Sequence, residues 1–169
     1  MLANNLKRSI MLLIVGTLLL VALDQVTKIY IVNNIDPDEP VVIIENYFQI
    51  TNVLNPGAAF GFMADKNESF RQPFFLGLTS LAVLFIFYMY LSLGEKETLM
   101  KIALCLILSG AVGNLIDRIR IKAVIDFICV HYHEFYWPSF NAADAYISVG
   151  VAFMLLDIMK KHKAERGNA

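Results

Sequence analysis

Two aspartates in apolar surroundings are the residues best placed to do chemistry in this sequence. Asp126 stands between Ile125 and Phe127, and Asp144 lies near the start of an apolar run at about 140–156. Two carboxylates held close together cannot both ionise cheaply, so one keeps a proton at working pH. The ionised carboxylate can take a proton from water while the protonated one donates to a carbonyl oxygen. This chemistry suits peptide-bond hydrolysis without a metal or a covalent nucleophile.

Further polar residues lie within or at the ends of apolar segments, where such groups are costly and mark functional candidates. They are Asp24, Lys28, Asn114, Asp117, Arg118 and Asn141. At 1.5 Å per residue, Asp24 lies about 21 Å along a helix from Ile10, where the first apolar run begins. Asp117 ends another run and Asp144 begins the last one. We therefore expect these acids to converge at one depth, in the outer third of a membrane.

Structural roles compete with catalysis at several of these positions. Asp24 and Lys28 are four residues apart on one helix face, which favours an intrahelical ion pair that supports the scaffold. Asp117 and Arg118 suit an interfacial ion pair. Asp144 suits the N-cap of the last helix, a common position for aspartate. Asp126 has no comparable structural role.

Histidine and cysteine give weak signals. His131 and His133 have a spacing that can bind metal, but two histidines without a third ligand favour interfacial side chains. Cys105 and Cys129 both lie in apolar runs, which is typical of small buried hydrophobic residues. We expect no metal and no cofactor.

The composition indicates that lipid is the solvent for much of the chain. Of its 169 residues, 57% are hydrophobic and 17% are charged, against about 25% charged in an ordinary soluble domain. Mean hydropathy is +0.58. The formal net charge of −1 offers no electrostatic footprint for a phosphate backbone, so we expect no nucleic-acid partner.

Four apolar runs predict four transmembrane helices, at about 10–32, 73–93, 99–116 and 140–156. A helix needs about 20 residues to cross a hydrocarbon core of about 30 Å. The first run follows Lys7 and Arg8, as in a signal peptide. It is longer than the apolar part of a signal peptide and no small-residue cleavage pattern follows, so we expect it to remain as a span. The chain is therefore predicted to be a single all-α polytopic membrane domain.

The connecting segments differ in charge and in strand propensity. Both termini share one side with the cations Lys7, Arg8, Lys96, Lys101, Lys160, Lys161, Lys163 and Arg166. The positive-inside rule then places the termini in the cytoplasm and the segments at about 33–72 and 117–139 outside. Residues 41–54 are rich in β-branched and aromatic residues, which predicts a strand. The aromatic stretch 131–140 is typical of the headgroup level.

Five short blocks carry a further signal. They are LDQVTK at 23–28, LNPGAAFGF at 54–62, GNLIDR at 113–118, VIDF at 124–127 and FNAADAYI at 140–147. Together they resemble the lipoprotein signal peptidases (signal peptidase II) of bacterial inner membranes, along essentially the whole chain. Pro56 and Ala142 depart from the family pattern at variable or apolar positions. The resemblance implies four transmembrane helices, a small periplasmic β-cradle and a periplasmic loop or short helix.

The resemblance also implies an activity and a set of site residues. The family cleaves prolipoproteins just before a diacylglyceryl-modified cysteine, at the periplasmic side of the membrane, and its catalytic aspartates fall on Asp126 and Asp144. Residues implied to orient this pair, bind the substrate backbone or hold the site together are Asp24, Lys28, Asn55, Gly57, Asn114, Asp117, Arg118 and Asn141. The implied partners are lipidated prolipoprotein, membrane lipid and cyclic depsipeptide inhibitors of the globomycin kind. We expect the protein to be a monomer.

Two functions of other classes compete with a peptidase. A small proton-coupled transporter would use Asp24, Lys28 and Asp144 as a relay. It predicts acids spread through the membrane depth and an internal repeat, whereas these acids cluster and the sequence has no visible repeat. A non-enzymatic assembly factor that binds lipoproteins would use the buried acids for helix packing alone.

Overall fold

The architecture is four long helices and one small sheet. The computed structural model describes residues 2–57, 63 and 66–167. The helices are α1 (Leu2–Asn34), α2 (Glu68–Leu91), α3 (Thr98–Ile121) and α4 (Ala142–Gly167). All four are long and apolar enough to cross a membrane, which confirms the predicted number of membrane helices. Helices α1 and α3 extend beyond their predicted runs at both ends, whereas α2 extends beyond its run only at the start and α4 only at the end.

Helix α3 is the centre of the bundle, since it packs against α1, α2 and α4. Its contact with α4 depends on small residues, as is common between membrane helices. A Cβ atom added at Gly113 would lie 2.6 Å from a carboxylate oxygen of Asp24 and 3.3 Å from the Cβ of Ala143. Glycine at this position therefore lets α1, α3 and α4 approach each other where the polar residues converge.

The outward faces of the helices are apolar. Leu19 in α1 and Leu81 in α2 are 67% and 66% exposed. Exposed leucines in long helices with internally satisfied backbones suit a hydrocarbon environment. By contrast, the buried Lys28 of α1 contacts Asn114 and Asp117 of α3.

The sheet is antiparallel, with strand order β1–β2–β3–β4. The strands are β1 (Val41–Ile44), β2 (Phe48–Asn55), β3 (Val124–Tyr132) and β4 (Phe135–Tyr136). The prediction of one strand over 41–54 is corrected to a hairpin, because the chain turns at Asn46 with φ 64°. Asparagine tolerates this left-handed conformation better than most residues. Strand β3 lies beside β2, with Val53 opposite Asp126.

The connection between α3 and β3 turns the chain back, so that β3 packs against the helix bundle. Helix α3 ends at Ile121, and the next residue, Lys122, has a left-handed φ of 61° that reverses the chain. Strands and turns make up the described residues between the helices in 33–72 and 117–139, and no separate short helix is among them. Residues 58–62 of the LNPGAAFGF block lie outside the described residues.

Candidate active site

Asp126 and Asp144 are brought together from a strand and a helix. Asp126 lies on β3 and is 3% exposed. Asp144 lies in the first turn of α4 and is half-buried. Two backbone hydrogen bonds join these elements: Ile128 N donates to Phe140 O at 2.8 Å, and Phe140 N donates to Ile128 O at 3.0 Å. The strand is thereby fixed beside the residues that start the helix.

Asn141 contacts both carboxylates. Its Nδ2 donates to Asp126 Oδ1 at 2.7 Å. Its Oδ1 accepts from Asp144 N at 3.0 Å, while its own N donates to Asp144 Oδ2 at 3.1 Å. This reciprocal pair is a capping box, in which Asn141 is the N-cap and Asp144 the third helical residue. The prediction of Asp144 as the N-cap is therefore wrong, because Asn141 holds that position.

Asn114 holds Asp144 from the side of α3. Its Nδ2 donates to Asp144 Oδ1 at 2.8 Å. Its Oδ1 accepts from Lys28 Nζ at 3.0 Å and from Asn141 Nδ2 at 3.2 Å. These donors fix the orientation of the amide. Both oxygens of Asp144 therefore accept a hydrogen bond from a group in a defined position.

Lys28 is the centre of a buried charge cluster behind the pair. Its Nζ lies 2.9 Å from Asp24 Oδ2 and 2.7 Å from Asp117 Oδ2, and the three side chains are at most 1% exposed. The predicted Asp24–Lys28 pair is confirmed, but it is part of a larger cluster. The predicted Asp117–Arg118 ion pair is wrong, because Asp117 binds Lys28 on α1.

The remaining carboxylate oxygen of Asp24 joins this cluster to the start of α4. Asp24 Oδ1 accepts from the backbone N of Ala143 at 3.0 Å. Ala143 lies between Asn141 and Asp144, so the position of α4 relative to α1 is fixed within the site. The cluster therefore holds the elements that carry the aspartate pair.

One side of the site is formed by Asn55 at the end of β2, Gly57 just after it and Arg118 of α3. Asn55 Nδ2 donates to Asp126 Oδ2 at 3.0 Å, and Asn55 Oδ1 accepts from Gly57 N at 3.0 Å. Arg118 Nη2 donates to Gly57 O at 3.2 Å, and its guanidinium lies 5.2 Å from the ring centroid of Phe75. The cation–π contact holds the guanidinium at the edge of the site.

The protonation of Asp126 reflects its surroundings. Burial raises the pKa of the Asp126 carboxyl to about 6, and the nearby negative charge of Asp144 adds to the increase. Hydrogen bonds from Asn55 and Asn141 oppose it, because they stabilise the ionised form. A carboxyl with this pKa can hold a proton near neutral pH and release it readily.

The two aspartates line one cleft of about 1010 Å³. Its polar lining includes Asn55, Asn114 and Arg118, while Leu78, Ala82 and Ile147 from α2 and α4 supply apolar surface. A cleft with apolar walls and a few converging polar groups is typical of a ligand-binding site. It can hold water beside two carboxylates and an extended chain along the strand β2.

Sequence reasoning missed Gln25, which joins α1 to α3 within the site. Its Nε2 donates to Asp117 Oδ1 at 2.9 Å and to the backbone oxygen of Gly113 at 3.2 Å. Its Oε1 accepts from Arg120 Nη1 at 3.2 Å. Gln25 is a polar residue inside an apolar run, the same signal that identified its neighbour Asp24.

His131 and His133 lie apart from this cleft, on the β3–β4 hairpin. The His131 ring stacks on Tyr136 with centroids 4.6 Å apart, and His133 is exposed. Cys129 is buried and Cys105 half-buried. Among residues 2–57, 63 and 66–167, no three His, Cys, Asp or Glu side chains converge as metal ligands would.

Comparisons with known proteins identify the family. The sequence model described as "Signal peptidase (SPase) II" matches residues 16–160. The chain is 40% identical over 157 residues to a lipoprotein signal peptidase of Syntrophus aciditrophicus, covering 93% of this chain and 98% of that protein. It is 44% identical over 145 residues to one of Syntrophotalea carbinolica, covering 86% of this chain and 88% of that protein.

A solved structure shares the fold. It is a bacterial membrane enzyme determined by the in meso method, with a TM-score of 0.78 and 29% sequence identity. The similarity covers 89% of this chain and 88% of that one. With the family match over most of its length, the chain belongs to the signal peptidase II family.

Proposed function

We propose that this protein is an aspartic endopeptidase that removes the signal peptide from prolipoproteins, with Asp126 and Asp144 as its catalytic residues. Removal of signal peptides from prolipoproteins is the activity of the signal peptidase II family. The observation that carries the aspartic mechanism is the shared binding of the two carboxylates by Asn141, inside one cleft. Among the described residues that line the cleft there is no cysteine or histidine.

The mechanism requires one proton on the pair. The ionised carboxylate accepts a proton from water as the water attacks the scissile carbonyl carbon. The protonated carboxyl donates to the carbonyl oxygen. The leaving amine then takes the proton that the first carboxylate accepted from water, the carbon–nitrogen bond breaks, and a hydroxyl of the tetrahedral intermediate returns its proton to the second carboxylate. Asn141 and Asn114 keep the two carboxyl groups oriented during these steps. Such orientation reduces the reorganisation that accompanies charge transfer.

The substrate is lipidated and approaches within the bilayer. Leu78 and Val149, which line the cleft, are 54% and 46% exposed on the outer faces of α2 and α4. This apolar entrance suits acyl chains that remain in lipid while the peptide reaches the aspartates. We propose that cleavage occurs just before the diacylglyceryl-modified cysteine. Arg118 and the Asn55–Gly57 turn lie where they can bind the substrate backbone.

The proposal includes the placement of the protein in the cell. The chain forms one domain in the bacterial inner membrane, with both termini in the cytoplasm and the aspartates toward the periplasm. The distribution of lysine and arginine supports this orientation. The protein acts as a monomer, and cyclic depsipeptides of the globomycin kind inhibit it by occupying the cleft.

Turnover of a diacylglyceryl-modified prolipopeptide tests the proposal. The purified full chain should cleave it, and Asp126→Asn and Asp144→Asn should each lower kcat at least about 10³-fold, because either change removes the acid or the base. Asp157→Asn is the matched control. Asp157 is also buried on α4 but lies about 20 Å from Asp144 at 1.5 Å per residue, so it should retain activity.

Two results would contradict the proposal. Normal turnover by a folded Asp144→Asn variant would rule out the aspartic mechanism. Equal turnover of a peptide with an unmodified cysteine would rule out the lipidated substrate. If the aspartate variants also supported normal growth in cells, the assembly-factor hypothesis would be favoured instead.

A further inference from the structure

A second cavity lies at the opposite end of the bundle from the aspartate pair. It has a volume of about 530 Å³ and is bounded by the start of α1, the end of α2 and the start of α3. Arg8 at its edge is about 30 Å along α1 from Lys28, at 1.5 Å per residue. This distance separates the cavity from the proposed catalytic cleft. A ligand in this cavity would therefore not contact the aspartate pair.

Basic side chains from two helices line the cavity. Arg8 of α1 is exposed at its rim, and Lys101 of α3 is half-buried in its wall. The salt bridges among the described residues include neither side chain. Glu97, the acid that precedes α3, binds Lys161 Nζ at 2.7 Å and Gly94 N at 2.6 Å, and it interacts with Lys101 only through longer-range attraction of opposite charges. Among the described residues of the lining, Glu95 is the acidic one. The cavity therefore favours an anion.

The other wall of the cavity is apolar and continuous with the outer surface of the bundle. Leu12 is 59% exposed and Ile102 is 47% exposed, while Leu13 beneath them is 2% exposed. The hydroxyl of Tyr90 donates to Ser9 O at 3.0 Å and so needs no ligand. An occupant that uses both walls has an anionic group and an apolar chain.

We propose that this cavity binds an anionic phospholipid, with the phosphate between Arg8 and Lys101 and an acyl chain along Leu12 and Ile102. Basic cavities between transmembrane helices bind acidic headgroups in this way. The half-buried Lys101 gains a counter-ion, which reduces the cost of removing its charge from water. Inorganic phosphate shares the charge of the headgroup but makes no contact with the apolar wall.

Native mass spectrometry of the full chain in detergent tests this site. Dioleoylphosphatidylglycerol should bind at least about tenfold more tightly than dioleoylphosphatidylcholine, which has the same chains and no net charge. Arg8→Gln and Lys101→Gln should each weaken phosphatidylglycerol binding about fivefold, and the double variant about 30-fold. Lys7→Gln and Lys163→Gln are matched controls, because these cations are near the same end but do not line the cavity. They should leave binding unchanged.

Further binding measurements distinguish a lipid site from a site for free inorganic anions and from non-specific attraction between the basic surface and acidic lipids. An equimolar amount of inorganic phosphate should not displace the lipid, and Leu12→Trp should weaken lipid binding by filling the apolar wall. Displacement by phosphate, or an unaffected Leu12→Trp variant, would overturn the lipid assignment. Equal binding of the two lipids, or equal losses in the control variants, would overturn the site itself. If a variant fails to fold, the affinities of the wild type for phosphatidylglycerol and phosphatidylcholine still test whether the site selects an anionic lipid.

Discussion

Lys28→Met would leave two carboxylates buried without their cation. Lys28 Nζ lies 2.9 Å from Asp24 Oδ2 and 2.7 Å from Asp117 Oδ2, and all three side chains are at most 1% exposed. Removing one partner of a buried ion pair costs about 3–5 kcal/mol of the free energy of unfolding. In a chain of this size, each kcal/mol lowers Tm by about 2–4 °C, so we expect a decrease of roughly 6–20 °C.

Thermal unfolding in detergent can be followed with a thiol-reactive fluorescent dye. Cys129 is buried and Cys105 half-buried in the native fold, so both gain reactivity on unfolding. Lys122→Met is the matched control, because Lys122 Nζ lies 2.6 Å from Glu68 Oε1 in a pair whose side chains are 65% and 53% exposed. Water and salt screen such a pair, so the control should keep the wild-type Tm.

The Tm values of Lys28→Met and Lys122→Met decide whether the buried cluster stabilises the fold. If Lys28→Met and Lys122→Met had the same Tm, burial of the Lys28 cluster would not stabilise the fold, and the reasoning would be refuted. The double variant Lys28→Met/Asp117→Asn should melt at a higher temperature than Lys28→Met, because it carries one fewer uncompensated buried charge. A double variant that melts lower would contradict the same argument.

Two more predictions concern packing and protonation. Gly113→Ala places a methyl group 2.6 Å from a carboxylate oxygen of Asp24. This close contact should lower the free energy of unfolding by about 1–3 kcal/mol and reduce kcat. Gly77→Ala is the control, because a Cβ at Gly77 meets open space and should change neither quantity. Asn55→Leu removes a donor that lowers the pKa of Asp126, so the fall of kcat/KM at high pH should move up by about one pH unit. If Gly113→Ala kept the wild-type Tm and kcat, the packing prediction would be contradicted. If kcat/KM of Asn55→Leu began to decrease at a lower pH than in the wild type, the protonation prediction would be contradicted.

The sequence predicts the helices well because hydropathy and helix length are local properties. Four apolar runs identify four helices, and β-branched and aromatic residues identify 41–54 as an extended segment, which forms the first two strands. The hairpin turn at Asn46 is harder to predict, since a continuous strand and two paired strands have the same composition. The resemblance to a known family, rather than composition or spacing, assigns roles to the motif residues.

Contacts between helices explain the errors in the predicted site. Asp117 and Arg118 are adjacent in sequence, but neighbours on a helix point in directions about 100° apart and do not face each other. The partner of Asp117 is Lys28, which is on another helix and cannot be inferred from local spacing. Asn141 and Asp144 both suit a helix start, and the backbone contact of Phe140 with β3 decides where α4 begins.

The dependence of kcat/KM on pH tests the central claim most directly, because it reports the acid and the base of the free enzyme. Burial gives Asp126 a pKa of about 6, so the pair loses its shared proton as the pH rises through that value. We predict that kcat/KM for a diacylglyceryl-modified prolipopeptide decreases about tenfold per pH unit above this point, and also decreases in strong acid when both carboxyls are protonated. A kcat/KM that stays constant from pH 5 to 9, about three units beyond the pKa of Asp126, would contradict catalysis by a proton-sharing aspartate pair.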